Sequence, residues 1–186
     1  MLNSRNRFDE IEDLMQAIRM NLQQLESAEL LYGDIEIALI RTLGIKLERI
    51  DAFRARLRHM RNLGVPSVPK VGSGRKIMFS YSQALEMLIT VALEHGGYTP
   101  RVAVVAGPGI VRMYADQAKK IEGDIWVAVP PAEADNPVCA FGSHEQLHEM
   151  KKLKTLPPLY FRMNLSRLIR QFEWALVKKA SDVTTI

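Results

Sequence analysis

The sequence predicts a mainly α fold with small β elements. Three observations predict it. Residues 34–97 run in the order helix, tight turn, basic helix, Pro-bounded loop, Gly-containing hairpin, capped helix. The stretch before them carries an apolar heptad seam, and the stretch after them holds one good strand, a second candidate strand and a final amphipathic helix. The central order is that of a winged helix-turn-helix, so the expected architecture is such a core with an N-terminal amphipathic helix and a small α+β module at the C-terminal end. The expected divisions are 1–33, 34–98 and 99–186.

Residues 8–32 form the first expected helix. Phe8, Ile11, Met15, Ile18, Leu22 and Leu25 alternate three- and four-residue steps, an a/d seam of nearly three heptads, and Leu14, Leu30 and Leu31 widen it. Asp9, Glu10, Glu12 and Asp13 suit the positive end of its dipole. Such a seam pairs two subunits as a coiled coil or packs the helix on its own domain. Gly33 is expected to end this helix and Asp34 to cap the next.

A helix is expected over 35–43 with Ile35, Ala38, Leu39 and Leu43 on one face, then a turn at Gly44, then a helix over about 47–63. Ile50, Phe53, Leu57, Met60 and Leu63 make the inner face of that second helix, leaving Arg49, Arg54, Arg56, Arg58 and Arg61 outside. Gly64-Val65-Pro66 stops it. Val71-Gly72-Ser73-Gly74 reads as a hairpin tip flanked by Lys70 on one side and Arg75 and Lys76 on the other. Ser80-Tyr81-Ser82-Gln83 matches a capping box, so another helix begins there, with Ala84, Leu88, Val91 and Ala92 facing the core.

Charge points to a partner. From Arg41 to Lys76 ten basic residues face two acidic ones, a balance of +8 in a chain whose total is +4. A basic segment within an otherwise acidic chain is an electrostatic footprint for a polyanion, nucleic acid being the commonest. Arg on the helix can grip phosphate or guanine, and the basic hairpin can clamp backbone or enter the minor groove. A plain solvated helix face is the alternative.

These residues resemble the DNA-binding domain of the MerR family of bacterial regulators. Gly44-Ile45 stands at that family's turn, Leu63-Gly64-Val65-Pro66 at its helix end, Arg75, Lys76 and Phe79 in its wing, and Ser80 at the following cap. Gly97-Tyr98-Thr99-Pro100 is similar to the segment opening its next helix. The chain departs from the pattern in a longer recognition helix, in His59-Met60 where the family usually has a Tyr pair, and in the thirty or so residues that precede the domain. The resemblance covers roughly a third of the chain and implies binding of double-stranded DNA as a homodimer.

Beyond Pro100 a short helix is expected to 105, broken by Gly107-Pro108-Gly109, with a further helix over 110–121. Residues 124–129 are the best strand, and 159–163 are expected to pair with it. Asn164 caps a last helix carrying Leu165, Leu168, Ile169, Phe172 and Leu176. Trp126 and Trp174 are expected in the core.

His144-Glu145-Gln146-Leu147-His148 is a formal H-E-x-x-H match, which on a helix sets two imidazoles one turn apart for zinc with Glu145 as base. Cys139 and Glu173 are candidate third ligands. Glu149 directly after the motif, and Lys151, Lys152 and Lys154 beyond it, read instead as an exposed helix with two histidines. A zinc-dependent hydrolase, a regulatory metal site of Cys139, His144 and His148, and a winged-helix adaptor for a protein partner are therefore the alternatives to a DNA-binding regulator.

The remaining features bound the class. Hydrophobic content of 47% and charged content of 25% are those of a globular protein. No apolar run nears the ~20 residues of a membrane span, and the N-terminus lacks the apolar core of a signal peptide. A single cysteine excludes an internal disulfide and fits a reducing cytoplasm. Gly107-Pro108-Gly109 lacks the Lys-Ser/Thr of a P-loop, and no cofactor is expected.

Overall fold

The computed structural model describes residues 27, 29–66, 77–131, 139–153, 156 and 160–183, with side chains to residue 177. Among them the fold is mainly α, with six helices and two small antiparallel sheets. Strand β1 (Leu30–Leu31) leads into α1 (Tyr32–Thr42). A 3-10 turn, Leu47–Arg49, opens into α2 (Ile50–Asn62). Strand β2 (Met78–Phe79) precedes α3 (Tyr81–His95), and α4 (Pro100–Gln117) follows. Then come β3 (Trp126–Val129), β4 (Ala140–Gly142), α5 (His144–Lys152), β5 (Phe161–Asn164) and α6 (Leu165–Val183).

Helix α3 is the centre of the core. Every residue from Ala84 to Leu93 except Glu86 is buried, so apolar side chains surround most of its circumference. That is the pattern of a helix covered on all sides. Its start is held by the expected capping box: Ser80 Oγ accepts from the Gln83 N–H at 3.3 Å, and the Ser80 N–H donates to Gln83 Oε1 at 2.9 Å. α4 packs along it and α1 packs against α6. One buried cluster runs from Leu30 through α1, α2, α3 and β3 to Leu176, across the boundary drawn at residue 98.

The second sheet has the order β4-β3-β5. Trp126 pairs with Gly142 on one side and Asn164 on the other, and Val129 ends opposite Phe161. The pairing of the best strand with the segment before the last helix is as expected. The Asn164 cap is present too, its Oδ1 accepting from the Arg167 N–H at 2.8 Å. Buried Ser166 fastens α6 to the sheet by accepting from the Ile125 N–H at 2.9 Å. The Tyr98 hydroxyl lies 2.8 Å from the carbonyl oxygens of both Val129 and Pro130, tying the α3–α4 corner to the end of β3.

Several expectations are corrected. Leu30 and Leu31 do not extend a helix; they pair with Phe79 and Met78, which satisfies their backbone while Leu30 is buried. Gly33 lies inside α1, and Asp34 sits in its first turn rather than capping it, since the strand leaves the chain already aimed into a helix at Tyr32. Gly107-Pro108-Gly109 does not break α4. The missing Pro108 N–H costs one hydrogen bond, and packing on α3 outweighs it, because Gly107 lets the helices close to where a Cβ would lie 2.2 Å from Thr90 Oγ1. α4 ends at Gln117, short of 121. Leu63 is exposed rather than part of the inner face of α2, and Trp174 is 58% exposed rather than core. Strand β4 was not foreseen. The first-helix seam from Phe8 to Leu25 lies outside the described residues, as do Lys70, the Val71–Gly74 tip, Arg75 and Lys76.

Candidate nucleic-acid interface

α1 and α2 follow one another through a tight turn, in the order the sequence predicts. Gly44 sits in the turn at φ +61°, a conformation that side-chain-bearing residues rarely adopt, and the Ile45 N–H closes the turn on the Ile40 carbonyl at 3.0 Å. Burial of Phe53, Leu57 and Met60 then fixes which side of α2 faces out. At about 100° per residue the opposite side centres on Ala55 and Asn62, with Arg58 and His59 flanking it. All four are exposed.

The arginines of α2 divide into two sets. Arg54 Nε bonds Glu36 Oε1 of α1 at 2.7 Å, and its Nη1 lies 3.6 Å from Asp51. The Arg61 guanidinium stands 4.9 Å from the ring centroid of Tyr32, at the start of α1. Burial, reinforced by Glu36, raises the Tyr32 hydroxyl above its usual range against the pull of Arg61 and Arg58. On the opposite shoulder Arg56 Nε reaches Glu94 Oε2 of α3 at 3.5 Å. The Glu94 side chain is only 5% exposed, and its Oε1 has no hydrogen-bond partner among the described residues. Burial pushes that carboxyl above its ordinary range despite Arg56, His59 and His95. Arg54, Arg56 and Arg61 thus brace α2 against its neighbours. Arg58 on α2, and Arg49 in the 3-10 turn before it, are exposed and make no ion pair among the described residues.

Comparison with protein-family models and with curated proteins finds no match for this chain.

The H-E-x-x-H residues do lie on a helix, α5, begun by a capping box that the sequence reading missed. Ser143 Oγ accepts from the Gln146 N–H at 3.2 Å, and Gln146 Oε1 accepts from the Ser143 N–H at 2.7 Å. The signal was present, since Ser143-x-x-Gln146 repeats the spacing of Ser80-x-x-Gln83. Leu147 is the buried anchor of this helix. The His144 ring stacks edge-on to Trp126 at 5.4 Å, and Arg162 Nη2 lies 3.2 Å from its Nε2. That guanidinium also sits over the Trp126 ring at 4.7 Å. A cationic group against the imidazole opposes a second cation there. Glu145 accepts from the Ser143 hydroxyl at 2.9 Å, and its own backbone N–H together with that hydroxyl holds its carboxyl low. Glu173 is elsewhere, accepting from the Tyr81 hydroxyl across α3 and α6. Cys139 is half-buried, and burial raises its thiol. Among the described residues no three His, Cys, Asp or Glu side chains converge on a metal-sized site.

No helix among the described residues is long and apolar enough to cross a membrane.

Proposed function

We propose that this chain is a sequence-specific DNA-binding transcriptional regulator of winged helix-turn-helix type, acting as a homodimer in the cytoplasm. The observation that carries the reading is the outward face of α2: an exposed helical ridge on which Arg58 makes no ion pair among the described residues, with Arg49 exposed in the 3-10 turn before it and three further arginines bracing its shoulders. A rigid, outward, basic helix after a Gly turn is what insertion into a major groove requires. Arg58 is the base-reading candidate, and Arg49 grips backbone. The stretch that precedes β2 in the sequence carries Lys70, Arg75 and Lys76, basic residues suited to contact with the neighbouring phosphates. The heptad seam of the N-terminal stretch is the natural pairing element for the two subunits.

Crosslinked DNA recovered from cells and sequenced yields a small set of sites sharing one motif. On that motif, Arg58→Ala relaxes preference at one base position, at a cost of about 1–3 kcal/mol, whereas Arg75→Ala weakens all duplexes alike and lowers the salt slope by about 1. Unchanged affinity in both variants rules the reading out.

A further inference from the structure

A second cationic site lies away from the outward face of α2, between the C-terminal end of α1 and one face of α6. It is a half-open cavity of about 450 Å³ lined by Arg41, Thr42, Arg167, Arg170, Gln171, Trp174 and Ala175. The volume falls within the usual range for small-molecule sites. Three of its lining residues are arginines and none is acidic.

The three arginines are not equivalent. Arg170 is held by Asp124 at 2.8 Å, and that carboxyl, which also accepts from Asn164 at 2.8 Å, lies below its usual range because of these two bonds. Arg170 is therefore a fixed part of the wall. Arg167 makes no ion pair among the described residues, and its backbone is set by the Asn164 cap. Trp174 stands two turns further along α6 with 58% of its surface exposed, so a large flat ring borders a cationic recess instead of filling the core. Thr42 adds a buried hydroxyl without a hydrogen-bond partner among the described residues, an unmatched group of the kind that bound ligand or water satisfies.

We infer that this cavity binds a small organic anion carrying a flat ring, of the class of a nucleoside monophosphate. The phosphate sits between Arg41 and Arg167, where charge-assisted bonds to guanidinium are strongest. The ring lies on Trp174, and the Gln171 amide meets its polar edge. This inference is independent of the DNA reading, since it uses no residue of α2.

Calorimetric titration of the full chain with AMP tests it. Saturable binding in the millimolar range or tighter is expected, with competition by inorganic phosphate. Arg167→Ala weakens AMP about tenfold or more, in keeping with loss of a charged hydrogen bond. Trp174→Leu weakens AMP but leaves phosphate binding unchanged. Both side chains are exposed, so neither variant disturbs the core, and Arg58→Ala leaves AMP binding intact. Absence of saturable AMP binding, or binding indifferent to Arg167→Ala, overturns the inference. So does duplex-DNA binding lost in Arg167→Ala without any response to AMP, which assigns the recess to a longer nucleic-acid surface.

Discussion

At the residue scale, the polar partners of the α2 arginines decide what each one does. Helical spacing sets Arg54, Arg58 and Arg61 along one side of α2. Spacing alone did not show that Glu36 and Tyr32 of α1 receive Arg54 and Arg61, or that Glu94 of α3 receives Arg56. Those partners lie 18 to 38 positions away in the chain, and only tertiary packing brings them close. Glu94 is the most consequential of them. Its carboxyl is raised by burial, so the folded protein binds that proton more tightly than the unfolded chain. Its contribution to stability is greatest below the ordinary carboxylate range and is lost as pH rises through the raised value. Asp124 and Glu145, held low, act in the opposite sense and lose their contribution only at the acid end. Melting temperatures of the parent measured from about pH 4 to 7 should fall relative to those of Glu94→Gln as pH rises. A constant difference between the two across that range would assign the titration to another group.

At the element scale, local signals were reliable where a single side chain makes the boundary. Ser80 and Gln83 start α3, Asn164 starts α6 and Gly44 makes the turn, each by a bond or dihedral that needs only near neighbours. They failed where a distant element compensates a poor local choice. Gly107-Pro108-Gly109 is a break by propensity, yet α4 continues because its packing on Thr90 of α3 needs the missing Cβ at Gly107. Leu30-Leu31 has the character of a helix or a strand, and antiparallel pairing with Met78–Phe79 chooses strand. The capping box of α5 belongs to the legible class even though the sequence reading passed over it. Ser143→Ala removes the hydroxyl that accepts from Gln146 and should cost about 1 kcal/mol. For a chain of this size that lowers the melting temperature by about 2–4 °C, measured by circular dichroism, with Ser143→Asp restoring most of it.

At the scale of the whole molecule, burial joins what sequence order separates. α1 packs against α6 and α4 against α3, and one apolar cluster links Leu30, Leu39, Phe53, Leu93, Val127 and Phe172. A core shared in this way unfolds as one cooperative unit. Denaturant unfolding followed by tryptophan emission, which reports Trp126 in the sheet and Trp174 on α6, should coincide with helix loss followed by circular dichroism. Separate midpoints would show that residues 34–98 and 99–183 fold independently. The same packing creates the recess between α1 and α6, since Arg41 and Arg167 share it only because those helices meet.

The sequence by itself determined the mainly α class, the pairing of β3 with β5, most of the buried faces of α1 and α2, and the concentration of positive charge between Arg41 and Lys76. These follow from periodicity, caps and charge, which act over a turn or two of chain. Tertiary structure alone decided which arginines brace α2, whether Gly107-Pro108-Gly109 ends a helix, that Arg41 lines one recess with Arg167 and Trp174, and that His144 faces Arg162. Each of these is a contact between residues far apart in the chain. Such contacts depend on how the helices are stacked around α3, a quantity that no local pattern encodes.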